Sequence, residues 1–234
     1  MLRKAVRVLL VLACAGFAYL AFVYLTLPDV ERLRSVDPDT TAFIELRAAE
    51  ARAAGKKPRR VQRWVSDGRI APALKRAVLV SEDDAFWQHE GIDVEQIRRS
   101  IEHDLERGRF ARGGSTITQQ LAKNLYLSPS KNPLRKLREL LITRRLEAQL
   151  SKRRILELYL NVIEWGDGIY GAEAASRTYF GKPAAAVSAE EAALLAAAIV
   201  NPRAMNPGKP TPRLLRRQRL ILSRLGRAAA APGT

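Results

Sequence analysis

Cysteine and histidine are almost missing from these 234 residues: Cys14 is the only cysteine, and His89 and His103 are the only histidines. A lone cysteine closes no disulfide within the chain and excludes a thiolate metal site, and two histidines are too few for an imidazole-based centre. Any metal must therefore be a hard cation, of the magnesium type, on carboxylate or phosphate oxygen. Acids are also in short supply, 24 against 40 Lys and Arg, for a net charge of +16. That imbalance asks for an acidic partner, and nucleic acid is the usual first candidate. Alternating strand patterns are scarce and internal repeats are absent, which leaves a mainly α chain with room for one good core and no second large domain.

What is present begins with an apolar run. Val8 to Leu27 carries no charge, and twenty such residues as a helix cross about 30 Å of hydrocarbon. Arg3, Lys4 and Arg7 precede it, so residues 1–7 are expected in the cytoplasm, 8–27 in the membrane and the remainder outside. A cleaved signal peptide is the competing reading. It has a shorter apolar core, of about 7 to 15 residues, and a small-x-small site that is missing here. Tyr19 and Tyr24 suit an anchor. A basic domain tethered outside the cytoplasm meets phospholipid headgroups rather than nucleic acid.

Residues 28–63, rich in Ala, Arg and Lys, read as a stalk or membrane-proximal flank, 64–227 as the folded domain and 228–234 as a disordered tail. Capping boxes at Asp93/Gln96 and Ser188/Glu191 open helices, the second one apolar on nearly all sides and hence buried. Pro72 opens a helix over 73–81 that delivers Glu82, Asn132-Pro133 opens one to about Leu150, and another spans 152–160. In the basic segment 213–227, Leu214, Leu215, Ile221, Leu222 and Leu225 share one face, which either docks on the domain or lies on the membrane.

The chemistry concentrates in two runs. Ser81 to Gly91 (SEDDAFWQHEG) sets Glu82, Asp83 and Asp84 side by side, and their mutual repulsion predicts a raised pKa for at least one of them, which makes a general base. Gly113 to Asn124 (GGSTITQQLAKN) is a loop leading into a helix, with many neutral donors around one cation, Lys123. Such a site holds an anionic, hydroxyl-rich substrate.

These runs resemble the first two motifs of the peptidoglycan glycosyltransferases. Arg135 to Glu139 looks like the third motif, Arg154 to Asn161 like the fourth, and Gly171 to Gly181 like the fifth, all in the family's order. The resemblance implies a lysozyme-like glycosyltransferase domain with a small membrane-proximal lobe. The chain stops at Thr234 with no transpeptidase domain following, which implies a monofunctional member anchored in the bacterial inner membrane with its domain on the periplasmic side.

It also implies roles. Glu82 takes the family's catalytic position as base, and Glu139 is the second acid. Asp83, Phe86, His89, Thr116, Gln120, Lys123, Asn124, Lys131, Arg135 and Lys136 match substrate-binding positions. Among these, Asp83 is expected to orient neighbours, Phe86 to pack, and His89 to bond to the backbone. Glu139 has Arg135 at i−4 and Lys136 at i−3, so simple intrahelical salt bridges compete with a cationic wall around a diphosphate. Lys131 keeps charge where relatives can have arginine, without the bidentate fork. Glu157, Tyr159 and Asn161 are expected in the core.

The implied substrate is lipid II together with the nascent glycan strand, with membrane lipids and other cell-wall synthesis or division proteins as further partners. No cofactor is expected to be tightly bound. A stimulatory Mg or Mn ion would sit on Glu139 or Asp83. The rival readings are a lysozyme-like lytic enzyme, using Glu82 as general acid, and a non-catalytic basic scaffold, against which both carboxylates count.

Overall fold

A computed structural model describes residues 2–107, 114–128 and 132–230. Helix α1 (Leu2–Leu25) contains the one described segment long and apolar enough to cross a membrane, Arg3–Leu25, with a mean hydropathy of 2.4. It ends two residues short of the expected span. Pro28 disfavours a helical residue before it, and Thr26 Oγ1 turns back to donate to the Phe22 carbonyl at 2.8 Å. Leu27 already belongs to the domain's core.

The flank at 28–63 is not a stalk. Val30, Leu33 and Ile44 are buried, and α2 (Ala42–Ala53) is capped by Thr41, whose Oγ1 accepts from Ile44 N at 3.1 Å. Its arginines act as tethers: Arg34 Nε donates to the Gln149 carbonyl at 2.7 Å, and Arg47 NH2 reaches Glu164 at 3.1 Å. A composition rich in Ala and Arg hid this, because the partners lie more than a hundred residues away.

The remaining helices are α3 (Pro72–Glu82), α4 (Val94–Arg107), α5 (Ile117–Tyr126), α6 (Pro133–Gln149), α7 (Lys152–Val162), α8 (Ala172–Phe180), α9 (Ala189–Ala198) and α10 (Pro212–Ala230). The fold is mainly α, as the sequence implies. Helix α9 is its axis: every residue from Ala192 to Ala198 is buried, and the alanines let α3 and α10 pack closely against it. The Ser188/Glu191 capping box forms as read. Helix α10 docks rather than lying free, with Leu214 and Ile221 buried and Leu215, Leu222 and Leu225 packed on the core. It continues to Ala230, past the expected start of a tail at 228, and 231–234 lie outside the described residues.

A small sheet went unread. Strand β1 (Val61–Gln62) runs parallel to β3 (Ile169–Tyr170), and β2 (Glu164–Gly166) runs antiparallel to β3. Strands this short give alternation nothing to register. Gly168 turns β2 into β3 at φ 67°, where an added Cβ would lie 2.6 Å from the Arg59 carbonyl oxygen.

Candidate active site

The three adjacent acids have three different fates. Pro72 starts α3, and Leu74, Ala77 and Val78 pin one face of it in the core, so the helix ends at Glu82 on the rim. Asp83 caps that end, its N–H donating to the Leu79 carbonyl at 2.7 Å, and its side chain turns inward, leaving the residue 1% exposed. Its Oδ2 accepts from Ile117 N at 2.9 Å and its Oδ1 pairs with His89 Nε2 at 2.8 Å. Gly91 N–H donates to His89 Nδ1 at 3.1 Å, so the neutral ring carries its proton on Nε2 and donates it to Asp83. Burial pushes the Asp83 pKa up, while His89 and the Ile117 amide pull it back. The perturbed acid expected in this triplet is therefore the inaccessible one, and Asp84 is exposed.

Asp83 and His89 thus tie the loop after α3 to the start of α5. Phe86, fully buried with Lys152 Nζ 4.5 Å above its ring, wedges the same loop. Thr116 is also fully buried: its Oγ1 accepts from Gln119 N, its N–H donates to Gln119 Oε1, and its hydroxyl donates to the Gly91 carbonyl at 2.7 Å. Phe86 and Thr116 are both fully buried supports of this frame. The Thr116-x-x-Gln119 capping box was legible in the sequence and was missed.

Glu82 stays at the surface of this frame. Its Oε2 accepts from Gln120 Nε2 at 3.1 Å and its Oε1 from Ser81 Oγ at 3.1 Å. The Gln120 amide is itself held, because its Oε1 accepts from Tyr159 OH at 2.9 Å. Tyr159 is fully buried, which drives its phenol pKa far up and keeps it a donor. Expected only in the core, Tyr159 is also the foundation of a chain running Tyr159, Gln120, Glu82. Asn124 Nδ2 donates back to the Gln120 carbonyl at 2.8 Å, steadying the same turn of α5.

One turn along, the Lys123 ammonium has no hydrogen-bond or ion-pair partner among the described residues. Burial lowers its pKa, Arg135 and Lys136 lower it further, and Glu139 and Glu82 work against them. Those charges on α3, α5 and α6 therefore form one electrostatic unit. Within it Glu139 is 3% exposed and fully engaged: Arg135 NH1 meets Oε2 at 2.6 Å and Lys136 Nζ meets Oε1. Both the intrahelical pairing and the clustering read from the sequence are present. Lys131 lies outside the described residues.

The carboxylates named for a divalent cation do not suit one. Both oxygens of Glu139 and both oxygens of Asp83 are taken by donors from the protein, and no cluster of three candidate ligands occurs among the described residues.

Two clefts lie on either side of the Glu82–Gln120 hydrogen bond, Glu82 lining one and Gln120 the other. One, of about 1210 Å³, is lined by Glu82, Asp84, Glu95, Gln96, Arg224 and Arg227. The other, of about 280 Å³, is lined by Gln120, Lys123, Asn124, Tyr159, Arg47 and Glu164. A fixed carboxylate on the first cleft, bonded to Gln120 of the cation-bearing one, can take a proton on its own side while charge departs near Lys123.

Residues 50–226 match the Transglycosylase family. The chain belongs to that family. Among its relatives are the biosynthetic peptidoglycan transglycosylases of Nitrosospira multiformis, 48% identical over 82% of this chain and 84% of the relative, and of Laribacter hongkongensis, 50% identical over 81% and 83%. That of Aromatoleum aromaticum is 47% identical over 96% of both chains.

Proposed function

We propose that the chain is a peptidoglycan glycosyltransferase that polymerises lipid II, a lipid-linked disaccharide-pentapeptide, into β-1,4-linked glycan strands with release of undecaprenyl diphosphate. Glu82 removes the proton from the acceptor's 4-hydroxyl as that oxygen attacks C1 of the lipid-bound chain. Attack opposite the leaving diphosphate inverts the anomeric carbon, and no covalent intermediate is needed. General-base assistance supplies about 10²- to 10⁴-fold. The rest falls to positioning and to Lys123, Arg135 and Lys136, which face the charge that develops on the leaving group.

The observation that carries this reading is the placement of Glu82 on the larger cleft, held by Gln120, which lines the smaller cleft together with Lys123, whose charge is electrostatically coupled to Glu82. A lytic enzyme acting on finished glycan has no use for a cation without a counter-charge or for an apolar anchor. Helix α1 serves as a single-pass anchor in the inner membrane. Arg3, Lys4 and Arg7 at its start support a cytoplasmic N-terminus and a periplasmic domain. The test is to supply detergent-solubilised protein with labelled lipid II. Muramidase-sensitive polymer is expected, and release of fragments from purified sacculi without polymer would overturn the proposal in favour of hydrolysis.

A further inference from the structure

A further pocket adjoins the cleft that holds Gln120 and Lys123. It has a volume of about 170 Å³ and is lined by residues of α2 and the segment after it and by the β2–β3 hairpin, among them Arg47, Lys56, Lys57, Glu164 and Tyr170. Arg47 and Glu164 line both spaces, so the pocket continues the cleft that holds Gln120 and Lys123. A single water needs roughly 10–15 Å³ of such space, so this one takes a group of several heavy atoms.

Most charges around it are already matched. Arg47 bonds Glu50 at 2.8 Å and Glu164 Oε2 at 3.1 Å, and Arg203 bonds Asp167 at 3.3 Å. What remains is specific. The Tyr170 hydroxyl and Glu164 Oε1 are buried without hydrogen-bond partners, their residues 1% and 4% exposed. Buried polar groups are nearly always satisfied, so two orphans in one pocket mark a missing partner. Lys56 and Lys57 at the mouth are exposed and have no counter-ion among the described residues. Burial, and then the Glu164 charge, push the Tyr170 phenol pKa well up, so it stays a donor. The free groups are thus two cations and a hydroxyl donor, which call for carboxylates, and one carboxylate oxygen, which calls for an amine.

We propose that this pocket binds the peptide carried by the sugar substrate, its carboxylate on Lys56, Lys57 and the Tyr170 hydroxyl and its amine on Glu164 Oε1. The proposal rests on the glycosyltransferase reading for its substrate and adds a specificity element behind the reacting centre. The peptide of a sugar bound over Gln120 and Lys123 passes across the shared Arg47–Glu164 pair into the pocket.

Two measurements on the detergent-solubilised full chain decide it. The first needs no turnover: binding of a soluble disaccharide-peptide with free amine and carboxylates, followed by calorimetry. Binding to wild type should weaken about tenfold in Lys56→Ala/Lys57→Ala and in Tyr170→Phe, the loss typical of a charge-assisted hydrogen bond. Removing an unsatisfied buried hydroxyl should leave the Tm of Tyr170→Phe unchanged or raised. No binding to wild type, or equal binding by the variants, overturns the proposal. The second compares polymerisation of lipid-linked disaccharide with and without the peptide: the variants should lose about tenfold in kcat/KM only on the peptide-bearing substrate. An equal loss on both would show a structural role and overturn it. Failure of wild type to polymerise either substrate would count against the glycosyltransferase reading, while the binding measurement still judges the pocket.

Discussion

The two sides of Glu82 are built on opposite principles. On the α3–α5 side the fixing contacts to the proposed base are neutral: Gln120 donates to Glu82, Tyr159 donates to Gln120, and Ser81 completes the shell. On the α5–α6 side the fixing contacts are ionic, with Arg135 and Lys136 clamped on buried Glu139, and one ammonium, Lys123, is left without a matching charge. A base held by neutral donors keeps its orientation without a counter-ion competing for it. A site that must receive charge can be stabilised in advance by internal pairing as long as one cation is kept unspent. The difference teaches where each side will be fragile. The neutral side fails through loss of orientation, and the ionic side fails through loss of charge.

The largest expected break is Glu82→Gln. It keeps the shape and the neighbours but removes the proposed base, so polymerisation should fall at least 10²-fold, the lower end of general-base assistance, with an unchanged Tm. Turnover within about tenfold of wild type would move the base elsewhere. Asp83→Ala tests whether the neighbouring acid is a support instead. It strips Ile117 N and His89 Nε2 of their buried acceptor, and each lost bond should cost about 1–3 kcal/mol of stability. Thermal unfolding should show a large fall in Tm, and a folded Asp83→Ala protein whose activity vanished with no change in Tm would refute that assignment.

Lys123→Met sharpens the ionic side. The kcat/KM for lipid II should drop about tenfold or more, the value of a charge-assisted hydrogen bond to a phosphate. Stability should move the other way. The folded pKa of Lys123 lies below the unfolded value, so its charged form favours the unfolded chain. That penalty is in force at pH below the folded pKa and is relieved as pH rises through it toward the ordinary lysine value. Lys123→Met should therefore be the more stable protein at neutral pH, and the gap should close in alkaline buffer. A Tm difference that does not depend on pH would show that packing, not the ammonium, sets it.

How much of this was visible in the sequence follows from range. Helices with local signals were legible: the Ser188/Glu191 box, Pro72 at the start of α3, and the apolar face of α10. The site motifs named Glu82, Lys123 and Glu139, because residue type and order carry that information. What escaped depends on partners distant in sequence. Thr116 looks like a binding group until the fold encloses it, and Arg34 and Arg47 look like a solvated basic run until Gln149 and Glu164 arrive. Helix α2 was hidden for the same reason, and β1, β2 and β3 are too short to leave a period.

Tyr159 is the residue that best divides the two principles, because nothing in the sequence separates it from the core around it. Tyr159→Phe preserves the ring and its packing and deletes only the hydroxyl that holds Gln120 Oε1. Gln120 then loses its fixed orientation and can present its carbonyl, rather than its amide nitrogen, to Glu82. One neutral hydrogen bond is worth about 1 kcal/mol, so polymerisation should fall only about fivefold, through kcat rather than KM. The pairing of Arg135 and Lys136 with Glu139 lies on the other side and should be untouched, so inhibition by inorganic pyrophosphate, a probe of the cationic cleft, should be the same as in wild type. A parallel loss of pyrophosphate inhibition would mean that the two sides are mechanically coupled through α5, and the separation drawn between neutral orientation and ionic charge would fail.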